Sequence, residues 1–189
     1  HDLCRRQRQM CIRDSLIGVV GGGAMGQGIV QVSLEGGMKV VLFDAKTGGG
    51  SEAKDAIFGR LERNVEKGRL EKNVLENIKQ NLVLATDLSE FKKCDVVIEA
   101  VFEDIDVKLE VFKEVEKWVA PNCVIASNTS SLPIASLGRY CKHQNRFAGL
   151  HFFNPVPLMR LVEVIKGPST EDWVIEGLTN LGNCLLYTS

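Results

Sequence analysis

His151 closes the apolar run Phe147–His151. A neutral imidazole at a strand end can take a proton near neutral pH. A lone histidine there would be read as a satisfied core residue, but Ser130, Asn154 and Glu163 keep it company. Glu163 lies in Leu161–Ile165, and Pro155 and Pro157 can turn the chain so that this run returns beside His151. A carboxylate on the second ring nitrogen fixes the tautomer and stabilises the imidazolium. The plainer alternative is a surface glutamate between Val162 and Val164 in an edge strand. His143, in the polar run Tyr140–Arg146, is most simply a solvent-facing residue.

A second constellation begins at Gly21, with Gly23, Gly26 and Gly28 beyond it. Glycines in this spacing are common, and the context decides. They follow the apolar run Leu16–Val20 and open a helix. Gly21 permits the tight turn, Gly23 lets backbone approach a pyrophosphate, and Gly26 allows close helix–strand packing. The helix N-terminus offers free N–H groups to the anion. Asp44 ends the next run, about 20 residues on, where a carboxylate can accept from ribose hydroxyls and would repel a 2′-phosphate. The expected cofactor is NAD, although Asp44 alone could be a turn residue. Ser130 follows the run Val124–Ser127. Its hydroxyl could hold a substrate oxygen or the nicotinamide edge, or cap a short helix at Pro133–Leu137. Asn154 could bind the same ligands through its amide, or make an Asx turn before Pro155.

The elements that must position these residues show as apolar runs: Leu16–Val20, Val40–Phe43, Leu82–Ala85, Val96–Ala100, Val124–Ser127 and Phe147–His151. Continuous apolarity suits strands covered on both faces. Val107, Val111, Val115 and Trp118 recur at helical spacing within 103–120, a helix that Pro121 ends. The alternation implies an α/β fold with a doubly wound, mostly parallel Rossmann-type sheet. Within 51–80, Ile57, Leu61, Val65, Val74 and Ile78 are spaced as helix faces, and Gly68 marks a turn. This inserted helical pair is either a solvated pair or a basic arm over a phosphorylated ligand.

The two ends read differently. Met10–Ser15 back-translates as ATGTGTATAAGAGACAG, whose reverse complement, in a shifted frame, encodes the CLLYTS that closes the chain. That DNA is similar to the transposon-end adapter of sequencing libraries, and Arg5–Gln9 matches its upstream part. The expected division is residues 1–15 and 184–189 as non-native tails around a domain at 16–183. The tails hold four of the 23 basic and two of the 24 acidic residues, leaving 19 and 22, a net charge of −3. Nothing favours nucleic acid or an anionic membrane as partner. Nor does any apolar run reach the roughly 20 residues of a membrane helix. Cys94, Cys123 and Cys141 remain, without metal-ligand spacing, so no metal and a reduced compartment, the cytoplasm, are expected.

SNTSS at Ser127–Ser131, HFFNPVP at His151–Pro157, and EAVFED at Glu99–Asp104 followed by Lys108 resemble the 3-hydroxyacyl-CoA dehydrogenases of fatty-acid β-oxidation. The likeness runs from Ile17 to about Gly182. It implies NAD-dependent oxidation of an L-3-hydroxyacyl-CoA to the 3-oxoacyl-CoA, or the reverse. His151 would be the base, Glu163 its orienting acid, and Ser130 and Asn154 would sit at the reacting centre and the cofactor. Met25, Val101, Glu103 and Lys108 would line the cofactor, and Lys108 would also reach the acyl-CoA. Without the likeness, Lys108 is a helix-surface lysine. The family continues into a C-terminal helical domain, expected to be missing here, which closes the acyl-CoA cleft and forms most of a homodimer interface. Leu178, Leu181, Leu185 and Leu186 would then expose apolar surface or dock on the sheet. An NAD-binding module without activity and a piece of a multifunctional hydratase/dehydrogenase are the alternatives.

Overall fold

Each of the six apolar runs folds as a strand, being too short for a helix; five are largely buried, whereas Leu82–Ala85 forms the sheet edge, where Val83 is exposed rather than covered on both faces. The computed structural model describes residues 15–187. Strands β1 (Leu16–Val20), β2 (Lys39–Phe43), β3 (Leu82–Leu84), β4 (Val96–Glu99), β5 (Val124–Ser127) and β6 (Phe147–Phe152) pair in parallel. β7 (Val162–Lys166) joins antiparallel at the edge, giving the order β3-β2-β1-β4-β5-β6-β7. Its register sets Glu163 directly across from His151.

Among the described residues six α-helices cover the sheet: α1 (Ala24–Glu35), α2 (Gly49–Glu66), α3 (Lys72–Gln80), α4 (Ile105–Glu116), α5 (Ile134–Gly138) and α6 (Asp172–Tyr187). Strand residues alternate between two buried layers, as a period of two requires. Ile17, Val19, Val96, Ile98, Val124 and Ala126 pack with Ile29 of α1, Ile57 and Leu61 of α2, and Leu178 and Leu181 of α6. Val20, Val97 and Ile125 pack on the other side with Phe112 and Val115 of α4 and Leu137 of α5.

Three expectations shift. The helical pair turns at Gly68, whose φ is +67°, but the second helix buries Leu75 and Ile78 and leaves Val74 exposed. The buried face of α4 is Lys108, Phe112 and Val115, while Val107 and Trp118 are exposed. That face was hidden by its lysine, which is buried because a carboxylate waits for it. Lastly, three leucines of α6 dock, and the side chain of the fourth, Leu186, lies outside what the structure describes. Leu178, Leu181 and Leu185 are buried, and α6 packs on β6, β7 and α1.

Most of the expected N-terminal tail, residues 1–14, lies outside the described residues. Of the C-terminal tail, 184–187 form the end of α6, and 188–189 lie outside. Among the described residues no helix is long and apolar enough to cross a membrane. Cys94, Cys123 and Cys141 are buried free thiols. Burial pushes the Cys94 and Cys141 thiols up to about 12, which keeps them unreactive.

Because Leu178 is fully buried, Leu178→Ala should cost about 2–5 kcal/mol of stability. Leu158→Ala, at a residue 76 % exposed, should stay within about 0.5 kcal/mol. Urea unfolding of the two variants checks this. Equal costs would mean that α6 does not seal the core.

Candidate active site

β1 pairs with β2 on one side and β4 on the other. At such a reversal the chain leaves to opposite faces, and a crevice opens beyond the carboxyl ends of the strands. A cleft of about 1070 Å³ occupies that edge.

The glycine turn forms its floor. Gly21 takes φ +109°, and a Cβ there would lie 2.5 Å from the Ala100 carbonyl oxygen. A Cβ on Gly26 would lie 1.8 Å from the Gly21 carbonyl oxygen, so α1 can start this close only without one. A Cβ on Gly23 would meet nothing within 4 Å, so this side of the turn is open to the cleft. Gly23 caps α1 with no side-chain hydrogen bond, so the first-turn N–H groups remain available to an anion. This donor set fits a dinucleotide pyrophosphate.

Asp44 stands beside that turn. Its Oδ2 accepts from the Gly22 N–H at 2.6 Å and its Oδ1 from the Lys46 N–H at 2.8 Å. It is therefore both a turn residue and part of the cleft wall. Each carboxylate oxygen keeps a lone pair for a ribose hydroxyl. Cβ atoms on Gly22 or Gly49 would sit 2.9 and 2.5 Å from these oxygens. Both glycines are needed for the approach. They were missed in the sequence because each lies inside a run of three glycines.

At the opposite end of the cleft, His151 Nδ1 lies 2.9 Å from Glu163 Oε2. The imidazole is 17 % exposed and Glu163 is 55 % exposed. The Phe153 ring lies 4.5 Å from the imidazole, centroid to centroid. With Nδ1 engaged, Nε2 is the nitrogen left for the cleft that His151 lines. Ser130 and Asn154 are exposed on the same cleft, and Asn154 precedes a cis Pro155. The Ser130 hydroxyl does not cap α5. Pro133 is its N-cap, without a side-chain bond.

The loop that presents Ser130 is held by charges. Glu103 Oε1 accepts from the Thr129 hydroxyl, from the Ser130 N–H at 3.1 Å, and from the Ser131 N–H and hydroxyl at 3.2 and 3.0 Å. Lys108 Nζ lies 3.2 Å from Glu103 Oε2 and 2.6 Å from Glu99 Oε1. Glu99 is fully buried, and it also accepts from the Ser127 hydroxyl at 2.6 Å and the Val101 N–H at 2.8 Å. Nearby, Asn128 Oδ1 accepts from the Phe152 N–H at 2.9 Å and ties the end of β5 to β6.

Of the expected site residues, Gly21, Gly23, Met25, Asp44, Val101, Glu103, Ser130, His151 and Asn154 line one cleft. Gly26 lies under it and Glu163 behind His151. Lys108 corrects two expectations. It is 1 % exposed, so it is no surface lysine, and it stands behind Glu103 instead of lining the cleft. The reason is Glu99, whose buried carboxylate draws the ammonium inward. Glu99, Asn128 and Thr129 were missed, since Ser127, Phe152 and Glu103, which they meet, lie 24 to 28 residues away.

Burial pushes the Glu103 carboxyl up, but the Thr129 hydroxyl, the Ser131 N–H and Lys108 together outweigh it and hold it at about 2. Such a depressed group stabilises the fold above its unfolded pKa of roughly 4.3 and loses that contribution as pH falls through its folded value. The stability difference between wild type and Glu103→Gln should thus be full at pH 6 and vanish toward pH 2, as chemical unfolding at stepped pH would read. A difference independent of pH would mean the collar does not depend on charge.

Residues 16–185 match the family model described as 3-hydroxyacyl-CoA dehydrogenase, NAD binding domain. A probable 3-hydroxybutyryl-CoA dehydrogenase of Deinococcus radiodurans is 42 % identical over 155 residues, covering 82 % of this chain and 55 % of the relative. The mitochondrial hydroxyacyl-coenzyme A dehydrogenase of Sus scrofa is 42 % identical over 174 residues, covering 88 % and 55 %. A crystal structure of (S)-3-hydroxybutyryl-CoA dehydrogenase from Ralstonia eutropha superposes with a TM-score of 0.88 at 34 % identity, covering 90 % of this chain and 60 % of that one. The chain thus spans about half the length of these curated relatives. With the glycine turn, the carboxylate at the end of β2 and the family match together, this chain belongs to the NAD-binding domain family of the 3-hydroxyacyl-CoA dehydrogenases.

Proposed function

We propose that this domain works in the NAD-dependent oxidation of an L-3-hydroxyacyl-CoA to the 3-oxoacyl-CoA, and in the reverse reduction. The observation that carries it is the His151–Glu163 pair at 2.9 Å, on the same cleft as Ser130, Asn154 and the glycine turn. Bound NAD would supply the hydride acceptor. The chain's own residues do the rest. Gly21, Gly23 and the start of α1 hold the pyrophosphate, and Asp44 takes the ribose hydroxyls. His151 Nε2 receives the substrate hydroxyl proton in oxidation and returns it in reduction. Glu163 keeps Nδ1 protonated and balances the imidazolium charge. Ser130 and Asn154 orient the substrate oxygen and the nicotinamide side.

In this reading, residues 16–183 are the native domain and the terminal segments are adapter-derived. The buried free thiols support a reduced compartment, the cytoplasm. The parent enzyme works as a homodimer through its helical domain. A second reading rests on the match to the model of an NAD binding domain: a module that holds NAD and turns nothing over.

One experiment separates the two readings: calorimetric NADH binding beside an acetoacetyl-CoA reduction assay on the same preparation. Binding without NADH consumption selects the module. In an active chain or a complete homologue, His151→Ala should lower kcat by about 10²–10⁴-fold, and near-normal turnover would remove the base assignment. Asp44→Ala should weaken NADH binding by about 10-fold or more while narrowing the preference over NADPH. An unchanged ratio of the two affinities would take Asp44 out of the ribose site.

A further inference from the structure

The loop 127–131 is gripped at both ends by one ion network, buried at Glu99 and Lys108. At its start, the Ser127 hydroxyl donates to Glu99 Oε2. Further along, three consecutive residues donate to Glu103 Oε1. The two carboxylates are joined by the Lys108 ammonium, 2.6 Å from Glu99 and 3.2 Å from Glu103. Glu99 is 0 % and Lys108 1 % exposed, whereas Glu103 is 37 % exposed. A buried carboxylate with three donors and a buried ammonium with two acceptors are satisfied only together. Leaving one without the other costs more than either gains from the pair.

This arrangement has a direction. β4 ends at Glu99, and the same carboxylate takes the Val101 N–H, fixing where the chain turns up the cleft wall toward Glu103. Glu103 then collars the loop, and Ser130 stands on the cleft as a result. We infer that Glu99 is a positioning residue. Acting through Lys108 and Ser127, it sets the 127–131 loop for the nicotinamide half of the cofactor and leaves the adenosine half untouched. The inference rests on the NAD reading above. The topology favours that selectivity. The glycine turn and Asp44 follow β1 and β2, whereas Glu99, Ser127 and His151 sit on β4, β5 and β6.

The test compares two ligands on the full chain. NADH spans both halves of the cleft, and ADP-ribose lacks the nicotinamide. Glu99→Gln keeps the shape but removes the charge that pairs with Lys108 and turns one accepting oxygen into a donor. It should weaken NADH by about 10-fold and leave ADP-ribose within about 2-fold. The double variant Glu99→Gln/Lys108→Met should bind NADH no worse than Lys108→Met alone, because the two residues act in one chain of contacts. A general loss of packing would weaken both ligands alike, and that result overturns the inference. So does NADH affinity that is unchanged in Glu99→Gln. Should Glu99→Gln fail to fold by circular dichroism, Ser127→Ala takes the same comparison, with a smaller NADH-selective loss expected and an equal loss of both ligands overturning it. A wild-type chain that binds neither ligand overturns the NAD reading itself, and this inference with it.

Discussion

The central constraint is the double pairing of β1. With β2 on one edge and β4 on the other, β1 cannot be reached from the side, and both its faces are covered. Its carboxyl end is the one place where polar backbone can meet a ligand, and the chain must leave there through a turn that no side chain obstructs. Gly21 and Gly26 meet that demand by near-contact of backbone with backbone. Everything else at the site is arranged around that exit. Asp44 arrives on β2 and takes the Gly22 N–H, Glu99 arrives on β4, and His151 comes two strands further along.

The two ends of the cleft are built on different physics. The glycine end offers backbone dipoles, which cost little to expose and do not titrate. The histidine end offers a side-chain acid–base pair across two antiparallel strands. Between them lies a network of buried charge, whose benefit is geometry more than stability, since desolvating such ions offsets much of their attraction. That division suits a site in which one partner must be held and the other must exchange a proton.

Much of this was legible in the chain. The strands showed themselves because parallel strands buried on two faces are continuously apolar, and Gly68 marked the helical turn correctly. The glycine turn, Asp44 and the His151–Glu163 spacing were legible because each rests on local backbone geometry or on a short connection. Lys108 was not. Its burial depends on Glu99, a carboxylate on a strand that only the folded chain brings beneath α4. For the same reason the face of α4 was only half legible: Val111 and Val115 pack on the core as their spacing suggests, but a lysine beside Phe112 does not look like core. Asn128 was equally silent, because its partner is a backbone N–H on β6. The leucines of α6 were ambiguous, since apolar periodicity states that a face is buried but not against what.

β7 has one further consequence. It lies at the sheet edge and runs against its neighbour, so Glu163 meets His151 only through a count of residues. Side chains alternate from one side of a strand to the other. Sliding β7 by a single residue would bring Val162 or Val164 opposite His151 and send the carboxylate to the wrong side of the sheet. The stretch 153–161 is thus a spacer with a parity. It also carries Asn154 of the cleft, and a change of its length by one residue would part Glu163 from His151 while leaving every strand in place.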